Sequence, residues 1–358
     1  MPPSTMSPPR LLSLATAVPR HRLDQGDVAA IARRIFDGPD SEIEYMLPIF
    51  ENAGIEQRYS CVPLDWYLEP VGWQERNRLY LDNALDLIET AARDCLKRAG
   101  LGAGDVDALL CVSTTGLSTP SLDARLMDRL PFRPDVERLP VFGLGCAGGT
   151  LGLARAAALA KARPGSRVLL LVVELCGLTF RPGDQSRANI VATALFGDGA
   201  AAALVTAEPN RTASETGPCI VDWGEHRWPN SQDVMGWQVE ADGFGVLFSK
   251  DIPSLIRADF VPALDRFLAR CGSDRGALAG YVCHPGGERV VSAVEEVLGL
   301  EPGSLAHARA VLRDYGNMSA ASVLFVLERV LAERPPGRHL ITSLGPGFTA
   351  AFALMDLP

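Results

Sequence analysis

The chain has 358 residues, enough for two domain-sized units around a substantial buried core. Lys and Arg number 34 against 43 Asp and Glu, a formal charge of -9, the wrong sign for a protein that binds a phosphate backbone. Hydrophobic residues make up 47% and charged residues 22%, an ordinary globular balance, and the longest strongly apolar run, Val168 to Val173, stops at Glu174, far short of the roughly 18 residues of a membrane span.

In chain order, four prolines and one arginine precede Leu11, and the short apolar stretch that follows ends at Pro19. A cleavable signal peptide is therefore not expected, and the cytosol is the expected compartment. The run Ala108 to Val112 predicts a strand ending at Ser113. Glycines then flank Cys146, and a helix is predicted from about residue 148, Ala/Leu-rich over 151 to 162. The turn Arg163-Pro-Gly-Ser-Arg167 leads into a strand over Val168 to Val173. Gly197-Asp-Gly199 precedes another strand, Ala200 to Val205. In the second part, the strand Leu278 to Cys283 ends at His284. Asn317 opens an apolar helix to Leu331. The turn Arg334-Pro-Pro-Gly-Arg338 leads into His339 to Leu344, and Gly345-Pro-Gly347 into Thr349 to Leu354.

These elements repeat. Cys146 and Asn317 are 171 residues apart, as are Arg167 and Arg338, and Ser113 and His284. The register breaks only between Glu174 and Phe196, where the first half carries about 20 extra residues. Each half reads helix, strand, turn, helix, strand, Gly-x-Gly turn, strand. Continuous apolar strands beside helices predict an α/β fold whose sheets are covered on both faces, built as two halves, 1–210 and 211–358, stacked about a pseudo-twofold axis.

Neither the eight cysteines nor the five histidines have metal-ligand or disulfide-framework spacing, so no metal is expected. Three residues carry the candidate chemistry. Cys146 sits between glycines that permit a sharp strand-to-helix turn, and the helix N-terminus favours a thiolate. His284 ends a strand that Pro285 prevents from continuing, where α/β folds place active sites. Taken alone, Cys146 also reads as a buried apolar residue, His284 as a core histidine and Asn317 as a helix N-cap. The repeat brings the three together across the pseudo-axis.

The segments GLGCAGG (143–149), ALFGDGAAA (194–202), CHPGG (283–287), YGNMSAASVLFVL (315–327) and SLGPGF (343–348) resemble the type III polyketide synthases, the chalcone-synthase-like branch of the thiolase superfamily, and resemble bacterial more than plant members around Met235 and Gly243 to Pro253. The resemblance implies a duplicated, layered αβαβα thiolase-like fold, a homodimer and no cofactor. It also implies iterative decarboxylative Claisen condensation of malonyl-CoA onto an acyl starter held on Cys146, with cyclisation to an alkylresorcinol, alkylpyrone or related aromatic product. His284 and Asn317 would bind the enolate oxygen. Phe196 matches the gatekeeper between CoA tunnel and cavity. Thr114, Thr115, Cys176, Thr179 and Ser319 match the cavity walls, and Gly345, Pro346 and Gly347 its floor. Val246 replaces a second phenylalanine, which with Leu344 implies a roomier cavity suited to a medium- or long-chain fatty acyl starter. Where relatives carry CoA-binding cations this chain has Tyr45, Pro48 and Asn52, leaving Arg58 and Arg289 for that role and an acyl carrier protein as a second starter donor. Thr119-Pro120 matches an interface-proximal bond that is a candidate for cis. Two further enzymes fit parts of the pattern. They are a ketoacyl synthase of the fatty-acid initiation type, against which CHPGG and the segment 175 to 195 argue, and a papain-like cysteine hydrolase, against which the duplication argues. A thiolase-like subunit without catalysis would not need all three residues intact.

Overall fold

The computed structural model describes residues 8–37, 42–208 and 217–358. Nine strands form the main sheet: β1 (Arg10–Ala17), β2 (Ala108–Val112), β3 (Glu137–Val141), β4 (Arg167–Leu175), β5 (Asp198–Thr206), β6 (Cys219–Arg227), β7 (Gly280–Cys283), β8 (Gly337–Gly345) and β9 (Thr349–Leu357). Their spatial order is β7-β8-β9-β6-β1-β5-β4-β2-β3. In the first half, β2 pairs parallel with β4, and β4 with β5 and β5 with β1 antiparallel. In the second half, β7 pairs parallel with β8, and β8 with β9 and β9 with β6 antiparallel. The same sequence of parallel and antiparallel steps therefore runs outward from both sides of the β1/β6 junction.

That junction is a difference from the expectation of two separate sheets. The halves join edge to edge, with Arg10 opposite Cys219 and with Leu11 N donating to Pro218 O at 2.9 Å and Ile220 N to Pro9 O at 2.8 Å. The 210/211 division falls outside the described residues.

Six helices position the site: α1 (Gln25–Ile35), α2 (Trp73–Arg98), α3 (Gly148–Ala162), α4 (Arg187–Leu195), α5 (Glu288–Leu298) and α6 (Ser322–Glu333). Strands alternate their side chains between two faces, and the core divides accordingly. Val168, Leu170 and Val172 of β4 belong to the cluster that also holds α3 and α6, whereas Leu169, Leu171 and Val173 belong to the cluster under α2. Both faces are covered, which is why β4 reads as a continuous apolar run.

Helix α3 packs on β4 and β5 of one half and on β9, β8 and β6 of the other, so the two halves close on a shared central helical layer. The close approach depends on Gly149: a β-carbon there would lie 2.2 Å from Ala320 O, at the start of α6. The layered α/β reading of the sequence holds. Thr119-Pro120 is cis. No helix among the described residues is long and apolar enough to cross a membrane.

Candidate active site

Cys146 lies on the 3-10 turn Gly145–Ala147 that leads into α3. Gly145 has φ +46°, and a β-carbon there would meet Pro346 at 2.6 Å, so the turn needs glycine for both its backbone and its neighbour. His284 follows β7 directly, and its N donates to Thr342 O at 2.9 Å, extending the β7–β8 ladder by one residue before Pro285 ends it. Asn317 pairs with the Phe196 segment: its N donates to Leu195 O at 2.8 Å and its O accepts from Gly197 N at 3.0 Å.

The three residues line one cavity, together with Met235, Phe248 and Leu344. The Asn317 side chain is fixed at both ends, its Nδ2 donating to Gly286 O at 3.2 Å and its Oδ1 accepting from Ser319 N at 2.8 Å. Ser319 adopts φ +47°, a left-handed conformation costly for a residue with a β-carbon. Its hydroxyl and the Asn317 side chain both hydrogen-bond Cys146 and favour the thiolate.

Burial outweighs them. The thiol of Cys146 is pushed up to about 11 by desolvation, the reverse of the lowering expected at a helix N-terminus. His284 is pulled down to about 3, also by burial, and among the described residues neither ring nitrogen has a hydrogen-bond partner. Burial thus disfavours the charged form of each group taken singly.

A second cavity shares Cys146 and is walled by Cys176, Phe196, Trp237, Val246, Phe248, Ser319 and Pro346. Beyond it lies a third, mostly apolar chamber, which shares Cys176, Phe196 and Val246 and whose walls include Leu23, Val28, Ile31 and Ile35, Leu64 and Tyr67, Phe180, and the polar Arg58, Thr179, Asn189 and Thr193. Phe196 thus stands at a neck between two spaces, as does Cys176.

Several sequence expectations change here. Arg58 is buried, its guanidinium spent on backbone carbonyls, so it offers no surface for CoA phosphates. Arg289 is exposed beside Val290, which lines the Cys146 cavity. Thr114 and Thr115 are not on the walls of these cavities. Thr114 N and Thr115 Oγ1 donate to Glu174 Oε2 at 3.0 and 2.9 Å, and Thr114 Oγ1 accepts from Gly145 N at 3.1 Å, holding the turn that carries Cys146. Of the Gly345-Pro-Gly347 floor only Pro346 lines a cavity; Gly345 packs on Ala147, and Gly347 N donates to Met235 O at 3.0 Å. Val246 is indeed thin, but Phe248 and Trp237 return aromatic bulk to the same wall.

Glu174 was missed by sequence reasoning. Fully buried at the end of β4, it is pushed up to about 8 by desolvation and raises the thiol of Cys146. Its signal was the acidic residue that halts an otherwise unbroken apolar strand.

The sequence profile of the chalcone and stilbene synthase N-terminal domain matches residues 4–209, and that of the C-terminal domain residues 224–355. The chain belongs to the chalcone and stilbene synthase family. It is 39% identical over 357 residues to a Bacillus subtilis protein provisionally named a chalcone synthase, with 97% of this chain and 98% of that one covered. It is 38% identical over 343 residues to 1,3,6,8-tetrahydroxynaphthalene synthase of Streptomyces peucetius, covering 95% of this chain and 91% of the relative. Among solved structures, 1,3,6,8-tetrahydroxynaphthalene synthase of Streptomyces coelicolor, a bacterial type III polyketide synthase, superimposes with a TM-score of 0.90 at 31% identity, covering 97% of this chain and 99% of that one. The thiolase-like fold and the type III polyketide synthase class follow, which makes the protein an acyltransferase and sets the hydrolase reading aside.

Proposed function

We propose that the protein condenses malonyl-CoA units onto a fatty acyl starter held on Cys146. The observation that carries this is His284: a buried imidazole with both nitrogens unpartnered among the described residues, facing a cavity that also holds a thiol and a fixed side-chain amide. A core histidine would be hydrogen-bonded.

In the first half-reaction the thiol proton passes to His284 as Sγ attacks the acyl-CoA carbonyl. The C–S bond to CoA breaks, and the proton leaves with the CoA thiol. In the second, malonyl-CoA loses carbon dioxide, and the enolate oxygen accepts from His284 and from Asn317 Nδ2. The enolate carbon attacks the acyl-Cys146 carbonyl, forming a C–C bond and breaking the C–S bond to Cys146, and the released thiolate takes up one proton from solvent. Repetition and ring closure yield an alkylresorcinol, alkylpyrone or related aromatic product. No step requires a cofactor.

The starter class rests on the chamber beyond Phe196, whose walls are mostly apolar, with Leu23, Val28, Ile31, Ile35, Leu64 and Phe180 among them. CoA phosphates are assigned to exposed Lys250 and Arg289, which form no ion pair among the described residues and flank the cavity-lining Phe248 and Val290. Lys250 was not anticipated from the sequence. An acyl carrier protein presenting the starter at the same mouth remains part of the proposal. So do a cytosolic location and a homodimer. The dimer is supported by β3, an edge strand that is exposed along nearly its whole length with Leu139 solvent-facing, and by the neighbouring exposed Leu117 and Phe142.

The test is carbon dioxide release from malonyl-CoA. Cys146→Ala should make no polyketide yet keep decarboxylating, whereas Asn317→Ala should lose roughly a hundredfold in decarboxylation. Normal decarboxylation by Asn317→Ala would return that residue to a helix-capping role. A wild type that forms a single β-ketoacyl product and stops would favour the ketoacyl synthase reading.

A further inference from the structure

The carbonyls at the end of α4 bind two arms of the site together. A helix leaves its last four carbonyl groups without helical partners. Around α4, Thr193 O and Phe196 O each accept from Arg58 Nη1 at 2.8 Å, and Ala194 O accepts from Arg58 Nη2 at 2.6 Å and from Gln25 Nε2 at 3.0 Å. Leu195 O accepts from Asn317 N. The helix end is thus tied off by one guanidinium, one amide and the backbone of Asn317.

Arg58 also packs between the two segments. Its β-carbon would lie 3.3 Å from a β-carbon placed on Gly197 and 3.5 Å from one placed on Gly316, the residues next to Phe196 and Asn317. Gln25 Oε1 accepts from Nη2, and Gln25 Nε2 also donates to Phe50 O at 3.1 Å, so the guanidinium is itself held in place. Among the described residues it has no carboxylate within ion-pair distance, although Asp198 lies near enough to favour its charge. A buried cation without a salt-bridge partner is costly and is retained here where it meets three carbonyls.

We propose that Arg58 is a positioning residue that fixes Phe196 and Asn317 relative to each other, so that the neck of the acyl chamber and the enolate-binding amide are set by one guanidinium. A lysine carries the charge but not the planar fork that reaches several carbonyls at once. Starter selection and malonyl-CoA decarboxylation, two functions with different substrates, therefore both depend on Arg58, which borders the acyl chamber but not the cavity of Cys146, His284 and Asn317, so that the decarboxylation and exchange readouts report positioning alone.

The proposal rests on the condensing reading of Cys146, His284 and Asn317, and its test separates the two. Arg58→Lys and Arg58→Met are compared with the wild type in three measurements: the decanoyl-CoA to hexanoyl-CoA ratio of kcat/KM, decarboxylation in a Cys146→Ala background, and amide hydrogen exchange at Gly197 and Asn317. The expectation is a change of roughly tenfold or more in both activities for Arg58→Met, a smaller change in the same direction for Arg58→Lys, and faster exchange at the two amides. A variant that melts earlier, yet at low temperature keeps its chain-length ratio and decarboxylation within about twofold of wild type, would show a stabilising role only and overturn the proposal. If Arg58→Met does not fold, Gln25→Ala removes the support of the guanidinium; unchanged values in all three measurements would overturn it equally. A wild type that releases no carbon dioxide ends the condensing reading, whereas unaltered exchange at Gly197 and Asn317 ends this one.

Discussion

Replacing Cys176 with phenylalanine tests the acyl chamber most directly. Cys176 is nearly buried and borders both the Cys146 cavity and the chamber, at the neck it shares with Phe196 and Val246. On the far side Val28, Ile31 and Ile35 of α1 form a wall. They span eight residues of helix, about 10 Å at 1.5 Å rise per residue, enough to accommodate several methylenes in line. Each methylene moved from water into this wall is worth roughly 0.8 kcal/mol, so decanoyl-CoA, four methylenes longer than hexanoyl-CoA, has an upper-bound advantage of about 3 kcal/mol, on the order of 200-fold in kcat/KM. A phenyl ring at the neck should reduce that advantage to within a few-fold while leaving acetyl or malonyl priming intact. Ile35→Phe leaves the neck alone and should lower only the longer starter. The assay is mass spectrometry of products from competing acyl-CoA pairs. An unchanged ratio in Cys176→Phe, or a wild type that refuses fatty acyl-CoA but converts malonyl-CoA alone, would refute the chamber as the acyl site and favour a small polyhydroxylated aromatic product.

Three other outcomes are expected. Iodoacetamide should inactivate in step with labelling of Cys146, and preloading with acyl-CoA should protect, whereas the more accessible Cys219 and Cys271 should label without loss of product. Glu174 is held protonated by burial, with a value pushed up to about 8, while in the unfolded chain it ionises near the usual carboxyl value. The folded state then binds more protons between those values, so Glu174 lowers stability progressively as pH rises through that window, by roughly 4 kcal/mol at its end. Glu174→Gln should accordingly raise Tm more at pH 8 than at pH 5, and equal gains would refute the assignment. Gly149→Ala should destabilise by several kcal/mol in denaturant unfolding, since a β-carbon there meets the Ala320 carbonyl.

Much of this architecture was legible because the strands of each half are buried on both faces, which leaves unbroken apolar runs at β2, β4 and β5, and because the repeat keeps Cys146 and Asn317 at one offset. Periodicity reports burial, not partners. The single-residue β1/β6 junction, which turns two sheets into one, rests on backbone bonds at Pro9 and Pro218 that no side-chain pattern announces. The chamber was equally hidden, since its walls come from α1 and the residue Leu23 before it, from Arg58, from the turn at Leu64, from the segment after β4, from α4 and from Val246, pieces with no sequence relation. Arg58 shows the limit of reading a charge by its place in a motif. The strand Gln57–Ser60 alternates its burial, Arg58 falls on the inward face, and the arginine expected at a phosphate instead ties off a helix.

The electrostatics of the site bear on how one histidine can serve two half-reactions. With Cys146 raised to about 11 and His284 lowered to about 3, ionising either group alone is resisted by the same apolar surroundings. A proton moved from one to the other creates two opposite charges at once, and in a low-dielectric cavity their attraction offsets part of both penalties. Under the proposed function, Cys146 then attacks as its proton passes to His284, whichever electrophile stands in the cavity. Histidines that perform a single task usually have one nitrogen fixed by a carbonyl or carboxylate, which sets the tautomer. His284 has no such contact on either nitrogen. Neither tautomer is therefore fixed by a hydrogen bond from the described residues. Asn317, by contrast, is pinned at both ends of its amide. Under the proposed function, the enolate oxygen would thus meet one donor held rigidly and one whose tautomer no hydrogen bond from the described residues fixes.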